Sequence, residues 1–397
     1  MRRPGLHCVV LAVALIAGCA PVVRDASARP TIGAAPTPVS GTTGTPAATG
    51  APATLSATPA TATPASSGTP GPTTSAGPSP APAGSPVAIN GQLAVCGRLI
   101  CNEHGRPVQL RGMSTHGLQW YGWGRCITES SLDALVGDWG ADIVRVSMYV
   151  QEDGYETNPA EFTQQAETIV DALIARGVYA LLDWHMLDPG DPMFNLGRAK
   201  AYFGHMSERY GKAPNVLYEI ANEPSGVSWA TIKKYADELI PVLRANDPDG
   251  VVIVGTRAWS SFGVSEDGDF AEIVGNPVDA TNVMYTFHFY AASHKAEYRA
   301  ALEAAADALP VFVTEWGSQQ WTGDGPNDFD SAQAYLDILA TRKISWISWN
   351  YSDDERSGAA FKPGTCPNGP WTGASLKPAG TWVRERLLIP ADDFGTN

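Results

Sequence analysis

The stretch VLYEIANEP, residues 216–224, has the apolar, β-favouring composition of a buried strand and ends in a carboxylate, Glu223, before a proline. A second stretch, PVFVTEWG at residues 310–317, runs in the same way into Glu315. A buried carboxylate is costly unless it has partners or a chemical task. Two glutamates on separate strands of one sheet are the minimal equipment for hydrolysis of a glycosidic bond.

Similar short apolar runs recur through the second part of the chain at intervals of 28 to 38 residues. They begin near Val108, Asp142, Val178, Val216, Val251, Asn282, Pro310 and Ser345. Helix-like segments lie between them, for example Pro159–Arg176, Ser228–Asn246 and Asp328–Arg342. Eight strands that alternate with helices predict an α/β protein with a (β/α)₈ TIM barrel. The alternative, an open doubly wound sheet, would have a glycine-rich phosphate-binding turn after its first strand, and the sequence has none there.

The composition divides the 397 residues into three predicted parts. Residues 30–86 contain no charged and no aromatic side chain, so they cannot bury enough apolar surface to offset the entropy of ordering. We therefore predict a disordered linker rich in Pro, Thr, Ala, Gly and Ser over residues 20–86. A single catalytic barrel domain is predicted over residues 87–392, and residues 1–19 form the third part.

The first nineteen residues resemble a secretory signal peptide. Arg2 and Arg3 precede a short apolar stretch, residues 8–17, and small residues surround Cys19. A membrane span would need about twenty apolar residues. The run LIAGC, residues 15–19, resembles a lipobox and favours lipidation of Cys19, while ordinary cleavage after Ala20 is the alternative. The protein is expected to be secreted or to be a cell-surface lipoprotein, with a lipid anchor as its sole contact with the membrane.

The charge of the predicted domain excludes several classes of partner. The first 86 residues hold four arginines and one aspartate, so residues 87–397 carry 23 basic and 40 acidic side chains and a net charge of −17. Such a surface disfavours nucleic acids and anionic membranes. A neutral polysaccharide is compatible with it, and we expect a monomer.

Four cysteines of the predicted domain indicate disulfides in an exported protein, with three possible connectivities. Cys96 and Cys101 suggest a tight hairpin closed by its own bridge, and Cys126 and Cys366 would then pair by elimination. Because Cys126 follows the first strand and Cys366 follows the eighth, their bridge would join neighbouring strands of a closed barrel. A zinc site is disfavoured, since no CxxC pair or matching histidine spacing occurs.

Polar and aromatic residues collect at the predicted carboxyl ends of the strands, where the active sites of such barrels lie. Retaining chemistry requires one glutamate to be ionised and the other to carry a proton. Arg145 and Tyr290, together with His288, are expected to donate to Glu315 and hold it ionised. The tryptophans that end several strands are expected to line one mouth, where flat rings stack on sugars.

Six segments together resemble the cellulases of glycoside hydrolase family 5, in particular bacterial and actinobacterial endo-β-1,4-glucanases. They are LRGMSTHGLQWY (110–121), RVSMY (145–149), DWH (183–185), YEIANEP (218–224), FHFY (287–290) and VTEWG (313–317). The resemblance implies Glu223 as acid/base and Glu315 as nucleophile, with no metal or organic cofactor. It implies a supporting shell of Arg145, His185, Asn222, His288 and Tyr290. Glucan contacts are expected from His116, Trp120, Tyr121, Tyr149, Trp259 and Trp349.

The sequence also departs from the family pattern. Relatives often have a lysine near the eighth strand that reaches the glucan, where this chain offers Ser348 and the run Asp354-Glu355-Arg356. A mannanase, xyloglucanase or mixed-linkage β-glucanase on the same scaffold therefore stays open beside the expected β-1,4-glucan or cello-oligosaccharide substrate. A surface protein that binds glucans without hydrolysing them is a weaker alternative. A metal-dependent hydrolase is disfavoured, because the first strand lacks paired histidines.

Overall fold

Eight parallel strands close into a barrel in the computed structural model, which describes residues 80–120 and 122–389. An antiparallel hairpin, β1 (Ala94–Cys96) and β2 (Leu99–Cys101), precedes it. The barrel strands are β3 (Arg111–Ser114), β4 (Ile143–Tyr149), β5 (Tyr179–His185), β6 (Val216–Glu219), β7 (Val252–Val254), β8 (Val283–Tyr290), β9 (Val311–Gly317) and β10 (Trp346–Trp349). Each pairs in parallel with the next, and β10 closes the sheet on β3. The predicted TIM barrel is confirmed.

Helices connect the strands on the outside. The structure has α1 (Pro86–Asn90), α2 (Glu129–Asp133), α3 (Pro159–Arg176), α4 (Leu196–Tyr210), α5 (Trp229–Arg244), α6 (Arg257–Ser260), α7 (Ala271–Gly275), α8 (Ala296–Ala306), α9 (Phe329–Thr341) and α10 (Pro378–Leu387). The short α6 is irregular, because Ala258 and Trp259 have positive φ angles of 61° and 57°.

The predicted element positions agree closely with the structure. Seven strands start within one residue of the prediction, whereas the first starts at Arg111 rather than Val108. Helix α3 has the predicted bounds because its ends are encoded locally. The Asn158 side chain accepts from the backbone N–H of Glu161, and Gly177 takes a left-handed conformation after the last turn. The segment predicted from Ser228 begins one residue later, since Ser228 is the cap that precedes α5.

The amino-terminal segment closes the lower end of the barrel, opposite the carboxyl ends of the strands. Val87, Leu93 and Val108 are buried in one cluster with strand residues such as Leu181 and Phe312. The Tyr179 hydroxyl donates to the Gly91 carbonyl oxygen at 2.7 Å. This packing explains why β3 starts at Arg111 and not at the predicted Val108, because residues 108–110 pack beneath the barrel before the first barrel strand begins.

Two disulfides have the expected connectivity. The hairpin disulfide, Cys96–Cys101, joins β1 and β2, with 5.8 Å between the Cα atoms. The seam disulfide, Cys126–Cys366, joins the segments that follow β3 and β10, with 4.8 Å between the Cα atoms. Asp353 accepts from the Cys366 N–H at 3.1 Å and so fixes one end of the seam disulfide.

Several sequence-based predictions fall outside the described residues. They concern the signal peptide, Cys19 and nearly all of the linker, and the predicted limits of the catalytic domain stay a prediction. Within residues 80–120 and 122–389, no helix combines the length and the apolar character that crossing a membrane requires.

Candidate active site

Strand alternation decides which side chains enter the barrel. On β4, Arg145 and Tyr149 point inward while Val144, Val146 and Met148 pack against the helices. On β5, Asp183 and His185 point inward by the same rule. On these two strands, the side chains that point into the barrel therefore come from every second residue.

The same alternation corrects the expectation that the strand-end tryptophans line one mouth. Trp184 lies between Asp183 and His185 and packs outward on Tyr202, with 5.4 Å between the ring centroids. Trp316 and Trp346 also pack outward and contact each other at 5.6 Å. These three rings belong to the layer between barrel and helices, so they are unavailable for stacking on a sugar.

A β-bulge in β9 breaks the alternation at Glu315. Thr286 and His288 of β8 are two residues apart, yet their partners on β9, Phe312 and Glu315, are three apart. The register with β10 shifts at the same place. The extra residue lets two consecutive side chains, Thr314 and Glu315, both face the interior, as bulges near functional sites commonly do.

Arg145 organises the buried carboxylates. Its guanidinium donates to Glu219 Oε2 through Nε at 2.7 Å and to Glu315 Oε2 through Nη1 at 2.9 Å. Its Nη2 donates to Asn222 Oδ1 at 2.7 Å and lies 3.0 Å from Asp183 Oδ2. Burial raises the pKa of Glu219, but Arg145 and His288 together outweigh this and lower it to about 2. Burial, together with the negative charges of Glu219 and Glu315, raises the pKa of Asp183 well above its usual value despite the neighbouring Arg145.

Glu315 is held as a carboxylate by donors on both oxygens. The Tyr290 hydroxyl donates to Oε1 at 2.5 Å, opposite the Arg145 contact on Oε2. Burial raises the pKa of Glu315, but the charges of His288 and Arg145 and the Tyr290 hydrogen bond outweigh burial and lower it. The side chain is 5% exposed. A charged, nearly buried oxygen pair is therefore available at the barrel mouth.

Glu223 lies four residues beyond the end of β6, on the loop that follows it. Its side chain is 13% exposed, more than that of Glu315. One ligand-type atom from each of Glu223, His288 and Glu315 lies within 4.8 Å of the others. The two carboxyl groups therefore approach one another at the spacing of retaining glycosidases, about 5 Å, and not at the larger spacing of inverting ones.

His288 contacts Glu223 and not Glu315, which corrects the sequence-based expectation. Its Nδ1 lies 3.1 Å from Glu223 Oε1, and its Nε2 lies 2.9 Å from Thr314 Oγ1. Burial lowers the pKa of His288, but the nearby carboxylates of Glu219, Glu223 and Glu315 raise it to about 9. His288 is thus an imidazolium at neutral pH, and its charge reaches Glu315 without a direct hydrogen bond.

Asn222 and His185 form a second hydrogen-bonded pair beside the glutamates. His185 Nδ1 lies 2.7 Å from Asp183 Oδ2, and its Nε2 lies 3.4 Å from Asn222 Nδ2. Burial and the charge of Arg145 lower the pKa of His185 well below its usual value. A neutral His185 accepts at Nε2, so the amide of Asn222 is oriented with its oxygen toward Arg145 and its nitrogen toward His185.

The predicted sugar contacts surround this pair. Tyr149 stacks on His185 with 4.1 Å between centroids, and Trp349 stacks on the same ring at 5.2 Å. His116 lies 4.9 Å from Trp349, and Trp120 lies 4.5 Å from Tyr149. The structure gathers these four residues into one aromatic cluster. Trp259 lies apart from it on α6 and is 36% exposed, while Tyr121 is outside the described residues.

The departure near the eighth strand has a structural counterpart. Asp354 is buried, and its Oδ2 lies 3.7 Å from His116 Nε2. Burial lowers the pKa of His116, against the opposing effect of Asp354. Ser348 precedes Trp349 on β10, so strand alternation turns it to the opposite face, and it lines a small pocket with Gln319 and Gly380. At this edge the cluster therefore has the carboxylate of Asp354 beside the His116 ring.

Three buried residues of the network were not predicted from the sequence. Asp183, Glu219 and Thr314 contact Arg145 or His288, but no role in the site was predicted for them. The signal available for Glu219 was its charge within an otherwise apolar run. Thr314 gave no signal, because normal alternation beside an inward Glu315 would have turned it outward.

Two groups of described residues have the spacing of metal ligands. In the first, Cys126 and Cys366 are joined by the seam disulfide, so they offer no thiolate. In the second, Glu315 already accepts from Arg145 and Tyr290 on its two oxygens, and His288 is itself positively charged at neutral pH. A cation there would compete with an existing arginine, so these residues are poorly suited to hold one.

A parallel eight-stranded barrel with two closely spaced carboxyl groups at the carboxyl ends of its strands defines a class of glycoside hydrolases. The model of one family in that class, cellulase (glycosyl hydrolase family 5), matches residues 101–355. The chain belongs to this family.

Individual relatives agree with that membership. The chain is 61% identical over 289 residues to endoglucanase E-5 of Thermobifida fusca, and the aligned region covers 72% of this chain and 62% of the relative. It is 52% identical over 299 residues to endoglucanase CelA of Streptomyces lividans, covering 75% and 64%. It thus spans about three-fifths of the length of these relatives.

Solved structures extend the similarity to the fold. The catalytic domain of Thermobifida fusca endoglucanase Cel5A has a TM-score of 0.76 and 60% identity, covering 77% of this chain and 99% of that domain. A variant of the same domain has been solved in complex with cellotetraose, with the same TM-score, identity and coverage.

Proposed function

We propose that the protein is an endo-acting β-1,4-glucanase that cleaves internal bonds of cellulose or soluble β-glucans with retention of configuration. The observation that carries the proposal is the approach of Glu223 and Glu315 to within 4.8 Å between oxygens. That spacing leaves no room for the water that an inverting mechanism places between the carboxyl groups. The endoglucanase relatives, one of them solved with cellotetraose, support the choice of substrate.

Glu315 is proposed as the nucleophile. Arg145 and Tyr290 bind its oxygens and favour the ionised form, and an ionised oxygen is what attacks the anomeric carbon. In the first step an oxygen of Glu315 bonds to the anomeric carbon while the glycosidic C–O bond breaks. The product is a glycosyl ester on Glu315 and a shortened chain that leaves with a free hydroxyl group.

Glu223 is proposed as the acid and base. It gives its proton to the departing glycosidic oxygen in the first step and takes a proton from water in the second. The resulting hydroxide bonds to the anomeric carbon, the ester bond to Glu315 breaks, and both glutamates regain their starting states. The greater exposure of Glu223 suits this role, since the leaving group and water must both reach it.

Asn222 and the aromatic cluster are proposed to bind glucose units. Among the described residues, the contacts of Asn222 Nδ2 are long, 3.4 Å to His185 and 3.4 Å to the Met186 carbonyl oxygen, so a sugar hydroxyl beside Glu223 can compete for it. Tyr149 and Trp349 belong to the same buried cluster as Tyr290, the residue that donates to Glu315. Trp259 is proposed to stack on a glucose unit on the other side of the cleaved bond.

The roles can be separated with two variants and azide. In Glu223→Ala, kcat/KM for an aryl β-cellobioside with a dinitrophenolate leaving group should stay near wild type, because this leaving group needs no acid. Azide should then accelerate turnover and give the β-glycosyl azide. In Glu315→Ala, azide should instead give the α-glycosyl azide. Reversed products, or wild-type hydrolysis of carboxymethylcellulose by Glu315→Ala, would contradict the assignment.

A polysaccharide panel tests the substrate. We expect carboxymethylcellulose to be cut into short reducing oligosaccharides, with a rapid fall in viscosity that marks internal cleavage. Faster hydrolysis of mannan, xyloglucan or mixed-linkage glucan would replace the β-1,4-glucan assignment with the corresponding one. Tight binding of cello-oligosaccharides without any hydrolysis would leave only a glucan-binding role.

We also propose that the enzyme is exported and carries a lipid on Cys19. Two disulfides in the barrel domain support an oxidising compartment. Mass spectrometry of the mature amino terminus distinguishes the two forms. A diacylglyceryl group on Cys19 is the expected result, and an unmodified residue after cleavage at Ala20 would show simple secretion.

A further inference from the structure

The Thr314 hydroxyl occupies the centre of a hydrogen-bonded chain beneath the candidate acid. Its Oγ1 lies 2.5 Å from Glu219 Oε1 and 2.9 Å from His288 Nε2, and it also contacts Thr286 Oγ1. Thr314 and Glu219 are fully buried, so neither can touch a substrate in the cleft. The far side of the His288 ring faces Glu223.

The protons of this chain can be placed by counting donors and acceptors. A hydroxyl group has one proton to donate and two lone pairs that accept. Glu219 is ionised beside Arg145 and can only accept, so the proton of Thr314 goes to Glu219. Thr314 must then accept from His288, which requires a proton on Nε2, and its second lone pair serves Thr286. The remaining nitrogen, Nδ1, is the one that shares a variable proton with Glu223.

We infer that Thr314, backed by Glu219, is a positioning residue for Glu223: its hydroxyl fixes the proton of His288 on Nε2 and thereby directs Nδ1 at the acid. The inference rests on the proposed acid/base role of Glu223. Without the hydroxyl, the nearest acceptor for Nε2 is Glu219 Oε1 at 3.6 Å, beyond good hydrogen-bond range. The ring would lose its fixed orientation, and Glu223 would lose the partner that aims its carboxyl group.

The β9 bulge makes this arrangement possible. It turns Thr314 inward next to Glu315, so one strand supplies both the nucleophile and the residue that orients the partner of the acid. The titratable groups around His288 come from five elements. They are Glu219 and Glu223 on β6 and its following loop, Arg145 on β4, Asp183 and His185 on β5, and Glu315 on β9.

The direction of the pH effect follows from charge. In Thr314→Val, the imidazolium loses the acceptor on Nε2, so His288 gives up its second proton more readily. A neutral His288 no longer opposes the proton on Glu223, so Glu223 stays protonated to higher pH. The basic limb of the pH profile should therefore move upward while the maximal rate falls.

The test compares Thr314→Val, which has nearly the same shape without the hydroxyl, with Thr314→Ser, which keeps the hydroxyl. For phenyl β-cellobioside, whose leaving group needs acid, we expect kcat/KM of Thr314→Val to fall about 10- to 100-fold, the range for loss of one hydrogen bond to a charged group. For the dinitrophenyl substrate the loss should be under about 3-fold. Thr314→Ser should restore both the rate and the basic limb.

Equal losses on the two substrates, an unmoved basic limb, or the same defect in Thr314→Ser would overturn the inference. A measurement on the unmodified protein does not depend on folding of the variants. Nitrogen NMR of His288, assigned by its disappearance in His288→Asn, should show a proton on Nε2 at every pH from 5 to 9. Absence of that proton would also overturn it. If the wild type cleaves no glycoside, the proposed function fails; if it cleaves them and Thr314→Val is normal, only this inference fails.

Discussion

Removing the Tyr290 hydroxyl should displace the acidic limb of the pH–rate profile. Its hydrogen bond to Glu315 Oε1 is 2.5 Å long, and Tyr290 is almost wholly buried. A hydrogen bond to a charged group stabilises that group by about 1.5–3 kcal/mol, and one pKa unit corresponds to about 1.4 kcal/mol. Tyr290→Phe should therefore raise the pKa of Glu315 by about 1 to 2 units. Arg145 still binds the other oxygen, so Glu315 stays ionised at neutral pH.

The assay is kcat/KM for an aryl β-cellobioside between pH 3 and pH 9. The wild type needs an ionised Glu315, so activity falls as the pH drops through its pKa, and in Tyr290→Phe this fall should begin about 1 to 2 pH units higher. The matched control is Tyr218→Phe, which removes a buried hydroxyl that contacts Asp247 outside the barrel at 2.9 Å. An acidic limb at the same pH in wild type and Tyr290→Phe would refute the reasoning.

The same substitution has a signature in stability. Because the pKa of Glu315 is lowered by folding, the carboxylate contributes stability above its unfolded pKa, and the contribution is lost as the pH falls through the folded pKa. Part of that contribution comes from Tyr290. The difference in unfolding free energy between wild type and Tyr290→Phe should therefore be largest at neutral pH and shrink in acid, as urea titrations at pH 7 and pH 3 would show. A difference that grows in acid would contradict this sign.

Three further results are expected. Replacing both cysteines of the seam disulfide by serine should lower the unfolding free energy by up to about 5 kcal/mol, because this disulfide closes a loop of 240 residues. The same replacement in the hairpin disulfide, which closes a loop of 5 residues, should lower it by about 2 kcal/mol. Equal losses in urea titrations would contradict the loop argument. Trp259→Ala should raise KM for long cello-oligosaccharides about 2- to 13-fold and leave kcat for dinitrophenyl cellobioside unchanged. Val274→Ala, which truncates another exposed apolar side chain, is the control. An unchanged KM would show that Trp259 does not contact the substrate. The stabilising charge of His288 is fully present below its unfolded pKa near 6.5 and is lost as the pH rises through its folded pKa of about 9. The difference in unfolding free energy between wild type and His288→Asn should therefore shrink across that window. A constant difference in denaturant titrations would show that His288 does not titrate there.

Local rules in the sequence predicted most of the barrel. The strands are short β-favouring runs separated by helix-length intervals, and helices such as α3 carry their own start and stop residues. Alternation was sufficient to place Trp184 outside, because Asp183 and His185 on either side of it both belong inside. The expectation that this ring lines the mouth was wrong for that reason.

Other parts of the site depend on contacts that no local rule contains. The choice of Glu223 over Glu315 as partner of His288 depends on how β6, β8 and β9 meet across the closed barrel. The bulge that turns Thr314 inward is a property of strand pairing, visible only once the register of both neighbours is known. Sequence motifs were enough to propose the two reacting glutamates, whereas the residues that hold and orient them required the three-dimensional structure.

The apolar packing beneath the barrel limits how far the amino terminus of this protein can be shortened without loss of stability. The family similarity begins at residue 101, yet Val87, Leu93 and Ile100 fill the space beneath the strands. Burying three such aliphatic side chains stabilises a protein by about 5–9 kcal/mol, which is comparable to the whole net stability of a typical domain. A recombinant protein trimmed to the conserved region would leave an apolar opening in contact with water. Expression should therefore start upstream of Ser85, which caps α1, so that the sealing residues stay attached.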